Sequence, residues 1–155
     1  MSKGSEMEIT EILDSDVSIY AELYVHVFNS PPWKENWTLP SAIERLDFYR
    51  RTPGFIGFCV HERSSLVGFV LGNYEPYQQG KVYLLKEMCI APERQRSGLG
   101  SSLLEKLHSA LKERDICLIN LITRIGHPAE GFYLKNNYLR VPSMGLYVAK
   151  LDNEH

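Results

Sequence analysis

Cysteine is scarce in this chain of 155 residues, and long apolar runs are missing altogether. Cys59, Cys89 and Cys117 are odd in number, show no Cys-x-x-Cys spacing, and each lies in an apolar run. A disulfide framework and a zinc site are therefore not expected; buried, reduced thiols in a cytoplasmic protein are. His26, His61, His108 and His127 show no metal-ligand spacing either, so no metal is expected. No stretch approaches the length of a membrane span, which leaves no membrane partner. An excess of one charge is missing too. Lys and Arg number 17 against 19 Asp and Glu, for a net charge of −2, and no basic run offers itself to nucleic acid. Residues 1–6 lack the apolar core of a signal peptide and read as a short flexible lead, with a single domain expected over 7–155. There is no Gly-x-x-x-x-Gly-Lys-Ser/Thr loop, which excludes the common nucleotide triphosphatase site.

What is present is the composition of an ordinary globular domain, 44% apolar and 23% charged. Alternation predicts a first strand at 7–11. A helix at 14–29 follows, with Val17, Ile19, Tyr20, Leu23, Tyr24 and Val27 on its buried face. Ser30-Pro31-Pro32-Trp33 breaks it. Thr38 is a good N-cap, with Pro40 just inside, for a helix to about Arg51 that buries Ala42, Ile43, Leu46, Phe48 and Tyr49. Strands at 55–61 and 66–73 form a hairpin, 74–81 reads as a loop, and 82–90 as a longer strand. A helix at 98–114 carries a leucine stripe, and the apolar run at 116–123 suits a buried parallel strand. A short helix at 128–134, ended by Asn136-Asn137, leads to closing strands at 138–141 and 144–151. The order β-α-α-β-β-β-α-β-α-β-β describes an α/β fold. Its central mixed sheet is mostly antiparallel, gains a parallel pair late in the chain, and is flanked by helices.

The richest stretch joins an apolar strand to a helix through Gln95-Arg96-Ser97-Gly98-Leu99-Gly100. Glycines here let successive N–H groups point one way at a helix N-terminus, which makes a seat for a phosphate or pyrophosphate. A dinucleotide fingerprint would need a third glycine, where Leu103 stands, and an acid ending the next strand, where Thr123-Arg124 stands.

These residues resemble the GNAT superfamily of acyl-CoA-dependent N-acyltransferases. Glu87-Met88-Cys89-Ile90-Ala91-Pro92 with Gln95 to Leu104 is similar to that family's strand, pyrophosphate loop and helix. Ala129-Glu130-Gly131-Phe132-Tyr133-Leu134-Lys135-Asn136-Asn137-Tyr138 is similar to its closing Ala-x-x-Phe-Tyr-x-x-x-Gly-Phe signature. The chain departs from the family at Gly126, where an asparagine is frequent, and at Asn137-Tyr138, where Gly-Phe is usual.

The resemblance implies acetyl-CoA as co-substrate, lying where the strand of Met88 to Ile90 splays from that of Leu118 to Leu121. Met88, Cys89 and Ile90 would run along the pantetheine arm, and Gln95, Arg96, Ser97, Gly98, Leu99, Gly100 and Ser101 would hold the pyrophosphate, with Arg94 adding charge. Amine attack on a thioester needs a base, a hold on the carbonyl oxygen and an acid for the leaving thiolate. Glu87 is the expected base, although a carboxylate there could instead pair with Lys86 or Arg124. Tyr133 matches the tyrosine that approaches the CoA sulfur and is the expected acid. Trp33, Trp37, Glu75 and Tyr77 are expected to line the side of a small-molecule amine acceptor. A protein or peptide N-acetyltransferase and a non-catalytic CoA sensor are the alternatives. A homodimer through edge strands near the C-terminus is a further expectation.

Overall fold

Thr38 ends an irregular segment and starts a helix with its side chain, as its place in the sequence predicts. Its hydroxyl oxygen accepts from the Ser41 N–H at 3.1 Å, and the Ser41 hydroxyl oxygen accepts from the Thr38 N–H at 3.0 Å. The helix so capped, α2 (Leu39–Arg50), packs with α1 (Ser18–Phe28). The computed structural model describes residues 6–152, so the expected lead falls, apart from Glu6, outside the described residues. The chain forms two compact units, the first ending at Leu121 and the second beginning at Ile122.

The first unit holds a sheet of β1 (Met7–Glu11), β2 (Phe55–Glu62), β3 (Ser65–Tyr77), β4 (Gly80–Ile90) and β5 (Ile116–Asn120), in the order β1-β2-β3-β4-β5. All neighbours are antiparallel except β4 and β5, which are parallel. The mixed sheet flanked by helices is thus the fold that the sequence predicts. Between β4 and β5 runs α3 (Leu99–Glu113), which buries Leu99, Leu103, Leu104, Leu107, Ala110 and Leu111, the predicted stripe. On α1 and α2 the core is built from Tyr20, Ala21, Tyr24, Val27, Ala42 and Leu46 against Cys59, Val60, Phe69, Leu71 and Cys89 of the strands. Tyr20 meets Phe69 edge to face, with ring centres 5.7 Å apart.

Several expectations are corrected. Helix α1 begins at Ser18 because the Asp16 carboxylate accepts from the Ser18 N–H at 2.9 Å, which holds 14–17 outside the helix. Ile19 and Phe48, expected in the core, are exposed. Residues 74–81 are largely strand: Tyr74 pairs with Tyr83, Glu75 with Val82 and Pro76 with Lys81. Cross-strand pairing near the hairpin tip outweighs the N–H that Pro76 lacks. Strand β5 stops at Asn120 and lies at the end of the sheet order, so Cys117 and Leu118 are exposed rather than buried.

In the second unit α4 (Pro128–Lys135) starts with a proline and ends at Asn137, whose φ of 72° supplies the left-handed turn expected there. Residues 138–152 form no strand, against the two predicted. Extended chain becomes sheet only when a neighbour takes its N–H and C=O groups, and among its described residues this unit contains no strand to do so. A turn at Pro142 also interrupts the segment, with the Met144 N–H bonded to the Val141 carbonyl. Among the described residues no helix is long and apolar enough to cross a membrane.

Candidate active site

A bulge in β4 sets the position of Glu87. Leu71 of β3 pairs with Glu87, but its neighbour Gly72 pairs with Leu85, so Lys86 has no opposite residue. A bulge bends its strand and re-aims the side chains beside it. Here Lys86 goes out to solvent while Leu85 and Glu87 are both buried. Gly72 makes the bulge feasible, since a β-carbon there would stand 2.0 Å from the Leu84 carbonyl oxygen.

The Glu87 carboxylate meets groups from both α1 and α2. Arg45 donates its Nε–H to Oε2 at 2.5 Å, and the Tyr24 hydroxyl also donates toward the carboxylate. The partner is therefore Arg45, brought in by helix packing, and not the neighbouring Lys86. Burial pushes the Glu87 carboxyl up; Arg45 and Tyr24 pull it back only in part, so it stays above its ordinary value. Burial works against the Arg45 charge, and Glu87 more than restores it. Burial and the Glu87 charge together push the Tyr24 phenol far up. The same two causes push up the thiol of buried Cys89, which stays protonated. The result is a nearly enclosed carboxylate with a raised affinity for protons, the property a general base requires.

Three residues beyond Glu87 the strand ends, and the chain turns through Pro92–Arg94 into the loop. Gln95 donates its side-chain N–H to the Ile90 carbonyl at 3.0 Å, and the Ser97 hydroxyl donates to the Arg94 carbonyl at 2.5 Å. Gly98 has a φ of 84°, a left-handed conformation that a side chain would oppose, and α3 starts at the next residue. The first intrahelical bond runs from the Ser102 N–H to the Gly98 carbonyl, so the N–H groups of Leu99, Gly100 and Ser101 precede the ladder. N–H groups in that position are the kind that can receive an anion. Arg94 differs from expectation: it is bound to Glu62, whereas Arg96 is exposed.

The splay expected at Leu118 to Leu121 is corrected: Leu118, Ile119 and Asn120 are paired with β4, and β5 then ends. The pairing runs from Lys81 with Ile116 to Leu84 with Asn120; β4 then continues to Ile90 without a β5 partner.

The remaining candidates separate. Trp37 stands edge-on to Tyr24 at 5.1 Å, and the Arg45 guanidinium lies over its ring, so it borders the Glu87 cluster. Trp33 packs on Phe28 at 5.6 Å. Glu75 and Tyr77 are exposed on β3, four and six residues past Leu71, which is about 13 and 20 Å along a strand. Tyr133 belongs to the second unit, where its ring packs against Phe132 and Tyr138, each at 5.3 Å. Burial pushes the Tyr138 phenol up to about 12. Sequence reasoning did not find Arg45 or Tyr24. A signal existed for Arg45: it lies one helical turn before Tyr49, on the flank of the α2 apolar face. Among the described residues no group of His, Cys, Asp and Glu is arranged to hold a metal ion.

Residues 22–138 match the acetyltransferase (GNAT) family. No curated protein matches the sequence significantly. An aminoglycoside acetyltransferase from an uncultured soil metagenomic sample, solved with sisomicin, is similar in structure. It shares 14% identity at a TM-score of 0.78, over 97% of this chain and 100% of that one. The aminoglycoside N-acetyltransferase AAC(6')-Iy in complex with CoA has 11% identity and a TM-score of 0.72, over 93% of this chain and 95% of that one. A ribosomal-protein-alanine N-acetyltransferase from Brucella melitensis biovar Abortus 2308 has 15% identity and a TM-score of 0.68, over 94% and 99%. At such identities the likeness is one of fold.

Proposed function

This chain belongs to the acetyltransferase (GNAT) family, and from that premise we propose that it moves an acetyl group from acetyl-CoA to a primary amine of a small molecule, by direct attack in a ternary complex. A single domain starting near Met7 carries this out. The supporting observation is the buried carboxylate of Glu87, held one residue before Met88 on the edge of β4 that β5 leaves open.

The residues divide the work. N–H groups from Gln95 to Ser101, with Arg96, hold the pyrophosphate, and Gly98 provides the turn that aims them. Backbone groups of β4 between Met88 and Ile90, Cys89 included, pair with the pantetheine amides, which places the thioester beside the base. Acetyl-CoA supplies an activated acyl carbon. Glu87 takes a proton from the acceptor ammonium, directly or through a water. The amine nitrogen then bonds to the acyl carbon, the carbon–sulfur bond breaks, Tyr133 gives the thiolate its proton, and the second proton leaving the nitrogen restores the Tyr133 phenol. For Tyr133 the reading rests on the motif from Ala129 to Tyr138. A backbone N–H near Ile90 holds the carbonyl oxygen, and alignment of amine and thioester supplies much of the acceleration. Trp37 borders the acceptor side; Trp33, Glu75 and Tyr77 lie farther out along the approach.

The test is thiol release from acetyl-CoA with a panel of amines and peptides, beside thermal melting with CoA. Stabilisation by CoA with amine-dependent release supports the reading, and Glu87→Gln and Tyr133→Phe should then keep CoA binding while losing turnover. Absence of stabilisation removes the cofactor site. Release with peptides alone moves the acceptor class to proteins.

A further inference from the structure

Arg45 is not used up by its partner. Its Nε–H goes to Glu87 at 2.5 Å, yet the side chain is 40% exposed, and among the described residues neither Nη has a hydrogen-bond acceptor. Nor can the guanidinium swing away cheaply. Its central carbon lies 5.6 Å from the Trp37 ring centre and 5.3 Å from that of Tyr49. Trp37 is itself pinned. Its N–H and carbonyl both bond the Asn29 side chain at 2.8 Å, and its Nε1–H donates to Glu35 at 2.7 Å. A planar cation held through Nε and bordered by aromatic rings has one edge left to offer. That edge, Nη1–Nη2, matches the two oxygens of a carboxylate.

We propose that Arg45 anchors a carboxylate of the acceptor, so that the amine acetylated here is one that carries a carboxylate close by, in its simplest form an amino acid. The inference rests on the acetyl-transfer reading and names the acceptor of that same site. A cationic amine brought to Glu87 comes up against a fixed guanidinium. A polycation gains from the Glu87 and Glu35 carboxylates but leaves Arg45 unanswered, whereas a zwitterion places its ammonium at Glu87 and its carboxylate at Arg45. The guanidinium charge also eases loss of the proton from the ammonium. In the transfer step Glu87 receives that proton and the carboxylate on Arg45 is unchanged. Arg45 is in this sense a specificity residue toward substrate and a positioning residue toward Glu87.

The experiment compares kcat/KM for L-amino acids, the matching amino-acid amides, spermidine and kanamycin, in wild type, Arg45→Lys and Arg45→Gln. A charge-assisted bidentate contact predicts that wild type favours an amino acid over its amide about 10- to 100-fold. In Arg45→Gln the ratio falls to about one. Arg45→Lys keeps a charge beside Glu87 but not the planar edge; it recovers part of the ratio, through KM and not kcat. Melting curves of both variants verify folding. Amine-dependent thiol release with no preference for the carboxylate, or with spermidine or kanamycin as the best acceptor, overturns the inference and leaves acetyl transfer standing. A ratio that survives Arg45→Gln overturns it as well. Thiol release from none of these acceptors by a protein that CoA stabilises overturns the acetyl-transfer reading for small amines, and the inference with it.

Discussion

Gly72 of β3 faces the Leu84 carbonyl of β4 so closely that a β-carbon would stand 2.0 Å from its oxygen. The contact falls where the pairing slips by one residue and Lys86 is left over. Gly72→Ala must force the strands apart at that point. It is expected to cost about 1–3 kcal/mol, the range for overpacking, and to lower kcat more than CoA affinity, because the register of Glu87 goes with the bulge. Chemical denaturation and steady-state kinetics check both. An unchanged kcat would disconnect the bulge from the base.

Glu87 trades stability for proton affinity. Burial leaves its carboxyl above the ordinary value despite Arg45 and Tyr24. A carboxyl raised on folding favours the native state while protonated, and that advantage is lost as pH rises through the folded-state value. Glu87→Gln is therefore expected to melt no lower than wild type at pH 7, with the difference closing below the ordinary carboxylate range, while turnover falls about 10²- to 10⁴-fold. A melting temperature several degrees below wild type at pH 7 would mean that the ion pair outweighs desolvation.

The pH profile reads the same carboxyl in the working enzyme. On the acid side kcat/KM should rise as Glu87 loses its proton, at a pH above the ordinary carboxylate range. Arg45 lowers that value. Arg45→Gln should move the acid limb upward. A limb that stays in place would take Glu87 out of the base role.

Arg94 and Arg96 stand two residues apart but are expected to differ on substitution. Arg94 is committed to Glu62, and Arg96 is exposed in the loop proposed to hold the pyrophosphate. Arg96→Gln should weaken CoA about three- to fivefold, as for an exposed ion pair, and more at low salt than at high. Arg94→Gln should act on melting temperature instead. Calorimetric titration at two salt concentrations separates them.

Local chemistry was readable in advance and long-range packing was not. The Thr38 cap, the Gly98 turn, the leucine stripe of α3 and the left-handed Asn137 each depend on a few consecutive residues, and each stands as predicted. Pro76 and Gly80 read as a loop because the partners of Tyr74 and Glu75 lie across the sheet. The Glu87 cluster is harder still. Arg45 is 42 positions away, and only the packing of α1 and α2 over the sheet brings it and Tyr24 to one carboxylate. The strand carrying Glu87 could be read from the sequence, but the company that sets its proton affinity could not. Residues 138–152 have strand-like alternation without a partner in their own unit, and alternation alone does not make a strand.

The early end of β5 leaves part of β4 without a neighbour from that strand. A ligand lying along β4 between Leu85 and Ile90, as proposed above, would close the sheet where β5 does not and would slow deuterium uptake by alternate amides there. Under the acetyl-transfer proposal, filling the site and completing the sheet would draw on the same hydrogen bonds, so acyl-donor binding would also raise the stability of the fold.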